Sequence, residues 1–159
     1  MHQIIVSPYS KKLRNGNMNP KNYPYWEDFV KLANSVGYSC VQIVRNDEPV
    51  IEAVRDKVNR IFEYENLGEL DNLIYSCKTF VTIDSFLPHL CHYKKVYGVV
   101  IFGRSDPKIF GYTENINILK DRKYLRNNQF DMWENTEYIE EAFVLPEVVL
   151  EAVNTIFNR

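Results

Sequence analysis

The chain has 159 residues, 45% hydrophobic and 25% charged, with nineteen basic against twenty-one acidic side chains. That balance is ordinary for a globular protein and excludes long disorder, collagen-like repeats and a disulfide-stapled miniprotein. A formal charge of −2 gives no electrostatic reason to expect nucleic acid or an anionic membrane as partner, and the length fits one domain rather than a complete two-domain enzyme.

In chain order, the first element expected is a short buried strand, Gln3–Ser7, apolar in its middle and stopped by Pro8. Residues 11–24 are rich in Asn, Lys, Gly and Pro and read as a loop. Pro24 then opens a helix over 25–36, with Trp26, Phe29, Val30, Ala33 and Val36 on one face and Gly37 as its stop. Ser39–Val44 is a second strand, closed by the turn-like Asn46-Asp47-Glu48-Pro49. Residues 51–60 stay ambiguous, and 59–64 fit a third short strand. Leu70, Leu73, Ile74 and Cys77 line one side of a helix over 67–77.

The β-branched and aromatic run 79–83 is a strand. It is followed by a short helix over 85–93, a fully apolar strand over 97–102 (YGVVIF) and an edge strand over 115–119. Residues 120–136 read as an irregular connection or flap. Pro146 opens the last helix, with Val149, Val153, Ile156 and Phe157 facing inward. No run of about 18 apolar residues suggests a transmembrane segment, and the N-terminus lacks a secretory-signal pattern. Cys40, Cys77 and Cys91 have no CxxC spacing, so reduced, buried thiols in a cytoplasmic protein are expected.

Near-continuous apolar strands alternating with helices predict an α/β fold, a Rossmann-like doubly wound parallel sheet, with residues 1–159 as one domain. Ligands of such sheets bind beyond the carboxyl ends of the strands. The first such end carries Lys11, Lys12, Arg14 and Lys21, with no acidic residue among residues 1–26. This loop can cradle phosphate, although taken alone it reads more readily as a solvated loop with surface lysines. The strand that runs into Asp84-Ser85-Phe86-Leu87-Pro88-His89 points free backbone N–H groups at whatever lies above, an arrangement that suits pyrophosphate. Asp84 there can accept hydrogen bonds from sugar hydroxyls, or Asp84 or Ser85 simply caps the helix. His89, Cys91 and His92 have no second ligand cluster to complete a metal site. No glycine-rich dinucleotide loop, Walker loop, HExxH or GxSxG is present.

The string VTIDSFLPHLCHYKKVYGVVIFGRSDPKIFGY resembles the signature of glycosyltransferase family 9, the ADP-heptose:lipopolysaccharide heptosyltransferase-like group. That signature has a strand, Asp-Thr-Gly-x-x-His and a small helix, then an apolar strand, Phe-Gly and a Thr/Ser-Asp-Pro turn. Asp84, Ser85, His89, Phe102, Gly103, Ser105, Asp106 and Pro107 stand at those places. Lys21 ahead of Tyr23-Pro24 is similar to the family's Lys-x-Trp-Pro before its helix. The family's glycine after Asp-Thr is Phe86 here.

The resemblance implies the C-terminal, nucleotide-sugar-binding half of a GT-B fold. It places Asp84 on the donor sugar and the amides of Ser85, Phe86 and Leu87 on the diphosphate, with His89 beside it. Ser7, Ser10 and Lys21 fall at phosphate-contacting positions, Glu48 at the ribose and Leu67 at the base. The implied ligand is a nucleotide-diphosphate sugar, an ADP-linked one by analogy, with no separate cofactor. The implied partner is either a separate N-terminal GT-B-like half, which carries the catalytic carboxylate and has no counterpart in this chain, or further copies of the chain. Two other functions remain open: a non-catalytic nucleotide or sugar-nucleotide binding module, and an interaction domain with a vestigial pocket.

Overall fold

The computed structural model describes residues 2–46 and 48–159, so Asp47 of the expected turn lies outside the described residues. Six strands form one all-parallel sheet: β1 (Gln3–Ser7), β2 (Ser39–Val44), β3 (Arg60–Glu63), β4 (Phe80–Ile83), β5 (Val99–Phe102) and β6 (Ile116–Leu119). Their spatial order is β3-β2-β1-β4-β5-β6. The inner strands are buried on both faces, β2 along its whole length, whereas the edge strands β3 and β6 are only partly covered. This is why the inner strands are continuously apolar.

Helices α1 (Trp26–Ser35) and α5 (Pro146–Phe157) cover one face; α2 (Asp71–Cys77) and α3 (Phe86–Tyr93) cover the other. In α1, Trp26, Phe29, Val30 and Ala33 are buried against Ile4, Val6 and Val149. Burial stabilises by about 1.5–3 kcal/mol for each large apolar side chain. Val36, expected on the same face, is exposed: it is the C-cap, where the chain leaves helical geometry, and Gly37 turns it away at φ +97°. Ile156 and Phe157 of α5 are half-buried rather than central.

The helix expected over 67–77 begins as a 3-10 turn, Leu67–Leu70, and continues as α2, with the four predicted inward residues buried. Residues 52–55 also form a 3-10 turn. A short helix that the sequence reading missed, α4 (Pro107–Phe110), is capped by Asp106, whose side chain accepts the Lys108 N–H. Its single turn is too brief for periodicity to register. The three thiols are buried, and desolvation pushes Cys40 and Cys91 up to about 12, so they serve as packing groups.

Candidate functional site

The chain order reverses between β1 and β4. From β1 it leads to α1 on one face, and from β4 to α3 on the other. The loops separate there, and a cleft of about 1540 Å³ opens beyond the carboxyl ends of the strands. Among its lining residues are Ser10, Lys21, Glu48, Asp84, Ser85, Phe86 and His89. Seven of the ten residues singled out in the sequence therefore meet in one place. Ser7 and Leu87 are buried instead, and Leu67 is exposed at its 3-10 turn; none of the three lines the cleft.

The basic loop is built by its own asparagines. Asn22 Oδ1 accepts the Ser10 N–H at 2.9 Å, Asn19 Oδ1 accepts the Lys21 N–H at 3.0 Å, and Asn19 Nδ2 donates to the Lys11 carbonyl. Trp26 Nε1 donates to the Pro8 carbonyl, which fastens α1 to the same loop. Across the switch point, Thr82 Oγ1 donates to the Ser7 carbonyl at 2.6 Å and Ser10 Oγ to the Asp84 carbonyl at 3.4 Å. These contacts hold the loop over the start of α3. Burial lowers the Lys21 ammonium below its ordinary range, although Asp84 pulls the other way. Glu48, across the cleft, is raised by burial against the pull of Arg45.

Ser85 is the N-cap of α3, with extended backbone and no side-chain capping bond. Its hydroxyl donates to the Ile83 carbonyl instead. The first N–H groups of the helix thus have no intrahelical acceptor, and Pro88 contributes no N–H. Phe86 is not among the side-chain-bearing residues at positive φ. It stands where the resembled signature has glycine and has an ordinary dihedral, and its ring leans toward Tyr64, 6.2 Å between centroids.

The 120–136 segment carries two 3-10 turns, Arg122–Tyr124 and Trp133–Asn135, and forms a pinned wall of the cleft. Arg126 is only 8% exposed. It donates to the Asp131 carbonyl (2.8 Å), the Gln129 carbonyl (2.8 Å) and Thr136 Oγ1 (3.2 Å), and its guanidinium lies 3.5 Å from the Trp133 ring centroid. Gln129 bridges the Asp106 N–H and the Arg104 carbonyl. Arg122 makes a bidentate pair with Asp106 at 3.0 and 2.7 Å, which holds the Asp106 carboxyl below its ordinary range. Asp106 is therefore part of the wall's foundation. Sequence reasoning missed Arg126, Gln129 and Trp133 as cleft residues, because irregular backbone carries no periodic signal. The aromatic and cationic residues of the stretch were the only clue.

A second hollow of about 360 Å³ lies at the opposite ends of the strands, among His2, Gln3, Ser39, Cys77, Lys78 and Phe157. It has neither a helix N-terminus nor the switch point beside it.

An all-parallel sheet in the order 3-2-1-4-5-6, with a cleft at its switch point, is the architecture of nucleotide-binding α/β domains. More narrowly, the chain has a heptosyltransferase-like fold. It is similar to the E. coli heptosyltransferase WaaC, solved with ADP, at a TM-score of 0.66 and 13% identity, over 98% of this chain and 44% of that one. It is similar also to the dodecameric iron-containing heptosyltransferase TibC, solved in complex with ADP-D-beta-D-heptose, at a TM-score of 0.60 and 18% identity, over 99% of this chain and 44% of that one. The chain thus spans a little under half the length of either neighbour. No protein-family profile and no curated protein sequence matches it. No helix among the described residues is long and apolar enough to cross a membrane.

Proposed function

We propose that this chain is the donor-binding domain of a heptosyltransferase-like glycosyltransferase and holds a nucleotide-diphosphate sugar in the switch-point cleft. The observation that carries the reading is the convergence of Ser10, Lys21, Asp84 and the amino end of α3 on one cleft. A diphosphate there meets the α3 N–H groups, the positive end of the helix dipole and the Lys21 ammonium. Asp84 accepts hydrogen bonds from sugar hydroxyls. Glu48 faces the ribose, with Tyr64 and Phe86 bordering the nucleoside end. The ADP and ADP-heptose in the two structural neighbours favour an adenine nucleotide.

In transfer, the bond from the sugar to the diphosphate breaks and negative charge grows on the departing nucleotide. Lys21 and the α3 amides stabilise that charge, which is the leaving-group side of the reaction. The acceptor and the base that deprotonates it belong to a second half, supplied by another domain or chain. Met18 and Phe130, apolar lining residues exposed by 49% and 77%, support a covering partner at the rim. Three buried thiols suit the reducing cytoplasm, where we place the chain.

Calorimetric titration with ADP, UDP and GDP and with their sugar conjugates tests the reading. Binding of at least one nucleotide sugar, tightest for an ADP form, is expected; no heat from any of them overturns it.

A further inference from the structure

His89 stands at the mouth of the cleft on the first turn of α3, an exposed side chain that would ordinarily sample several rotamers. Its Nδ1 lies 2.7 Å from the hydroxyl of Tyr112. Tyr112 is itself held from two sides. The His92 ring, one turn along α3 from His89, stacks on it at 3.9 Å with 13° between planes, and the His89 ring meets it edge-on at 5.4 Å. Its carbonyl accepts from Asn117 Nδ2 at 2.8 Å and from the Asn115 N–H at 3.1 Å. The preceding residue, Gly111, has no room for a side chain, since a Cβ there would stand 2.7 Å from the Pro107 carbonyl oxygen. The phenol is thus a fixed point and His89 the movable group.

We infer that Tyr112 is a positioning residue that holds His89 with Nδ1 engaged and Nε2–H turned to the cleft, as a donor to an anionic oxygen. A phenol is a ready donor to an imidazole lone pair, so in the neutral ring Tyr112 donates to Nδ1 and the proton resides on Nε2. In the imidazolium the same hydroxyl accepts from Nδ1–H, and Nε2 still carries a proton. Either charge state presents an N–H donor to an anion. The inference rests on the nucleotide-diphosphate reading for the identity of that anion. The tyrosine–histidine geometry does not depend on it.

The experiment has two arms. Imidazole 1H–15N correlation spectra of the whole chain, recorded without ligand at alkaline pH, read the His89 tautomer in the wild type and in Tyr112→Phe. This substitution keeps the ring stacked on His92 and removes only the hydroxyl. The wild type is expected to show the Nε2–H tautomer alone, and Tyr112→Phe a shift of both His89 nitrogens toward tautomer exchange. Titration with ADP forms the second arm. His89→Gln and Tyr112→Phe are each expected to weaken binding by about three- to tenfold, with the double variant no weaker than His89→Gln alone. Identical His89 nitrogen shifts in wild type and Tyr112→Phe would overturn the inference. So would wild-type ADP affinity in Tyr112→Phe alongside reduced affinity in His89→Gln. A wild type that binds no ADP would sink the nucleotide reading, and the ligand-free spectra would then decide the role of Tyr112 on their own.

Discussion

Lys21 is a cleft cation whose chemistry is altered by its position. Burial in the cleft wall depresses its pKa below the ordinary 10.5. Between the lowered value and 10.5, the unfolded chain binds a proton that the folded chain does not, so stability rises with pH across that window. A bound diphosphate favours the charged ammonium, so binding in the same window takes up a proton. The heat of an ADP titration should then vary with the ionisation enthalpy of the buffer, and Lys21→Met should abolish the variation. The same substitution should weaken ADP by about ten- to a hundredfold, as expected for loss of a charge-assisted bond to phosphate. A Lys21→Met chain with unchanged affinity and unchanged buffer dependence would remove Lys21 from the site. Asp84 was legible in the sequence because it directly follows a strand, and Lys21 because it belongs to a basic loop and stands ahead of Tyr23-Pro24 as in the resembled signature. Ser7 and the Leu87 amide came from the resemblance; the structure buries the Ser7 and Leu87 side chains, which leaves the role expected of the Leu87 amide untouched. A strand-end position alone does not tell which way a side chain points.

Among the elements, the wall at 120–136 repays attention because its order comes from side chains rather than from backbone ladders. The bidentate Asp106–Arg122 pair ties it to the N-cap of α4. Arg122 holds the folded Asp106 pKa below the ordinary 3.8, so the pair's stabilisation is present above that value and is lost as the pH falls through the lower, folded value. With Arg122 half exposed, solvent screens the pair, so its contribution to stability is modest. Asp106→Asn should lower the thermal midpoint at pH 7, and the gap from wild type should shrink in acid. A gap of the same size at pH 7 and pH 2 would contradict the assignment. Nothing periodic announces such a wall. Its parts, Arg126, Gln129 and Trp133, contact one another directly and are tied to the rest of the domain through Asp106 and Arg104, residues that lie far from them in sequence.

Gly98 is a second test at this scale. It joins α3 to β5 where a Cβ would come within 2.8 Å of the Phe80 ring and overlap the Phe80 carbonyl. Gly98→Ala should destabilise the chain by about 1–3 kcal/mol by forcing β4 and β5 apart, as denaturant unfolding would show. An unchanged midpoint would mean that the sheet yields there without cost.

The whole molecule was the most legible scale. Central strands with no polar alternation, and helices between them, required a parallel sheet covered on both faces, and the observed order places its switch point between β1 and β4. The distribution of labour within the cleft was less legible, because most of its lining lies on irregular chain. The length also takes on meaning here. The chain spans 44% of each structural neighbour, and under the proposed function a second half would cover the rim at Met18 and Phe130.

The central claim is that this face receives a nucleotide diphosphate across the switch point. Backbone 1H–15N spectra recorded as ADP is added would map the contact directly. The account predicts the largest shifts at the amides of Ser10, Lys21, Ser85, Phe86, Leu87 and His89. Shifts confined to His2, Ser39, Cys77 and Lys78 at the opposite end of the sheet, or none at any residue, would contradict it.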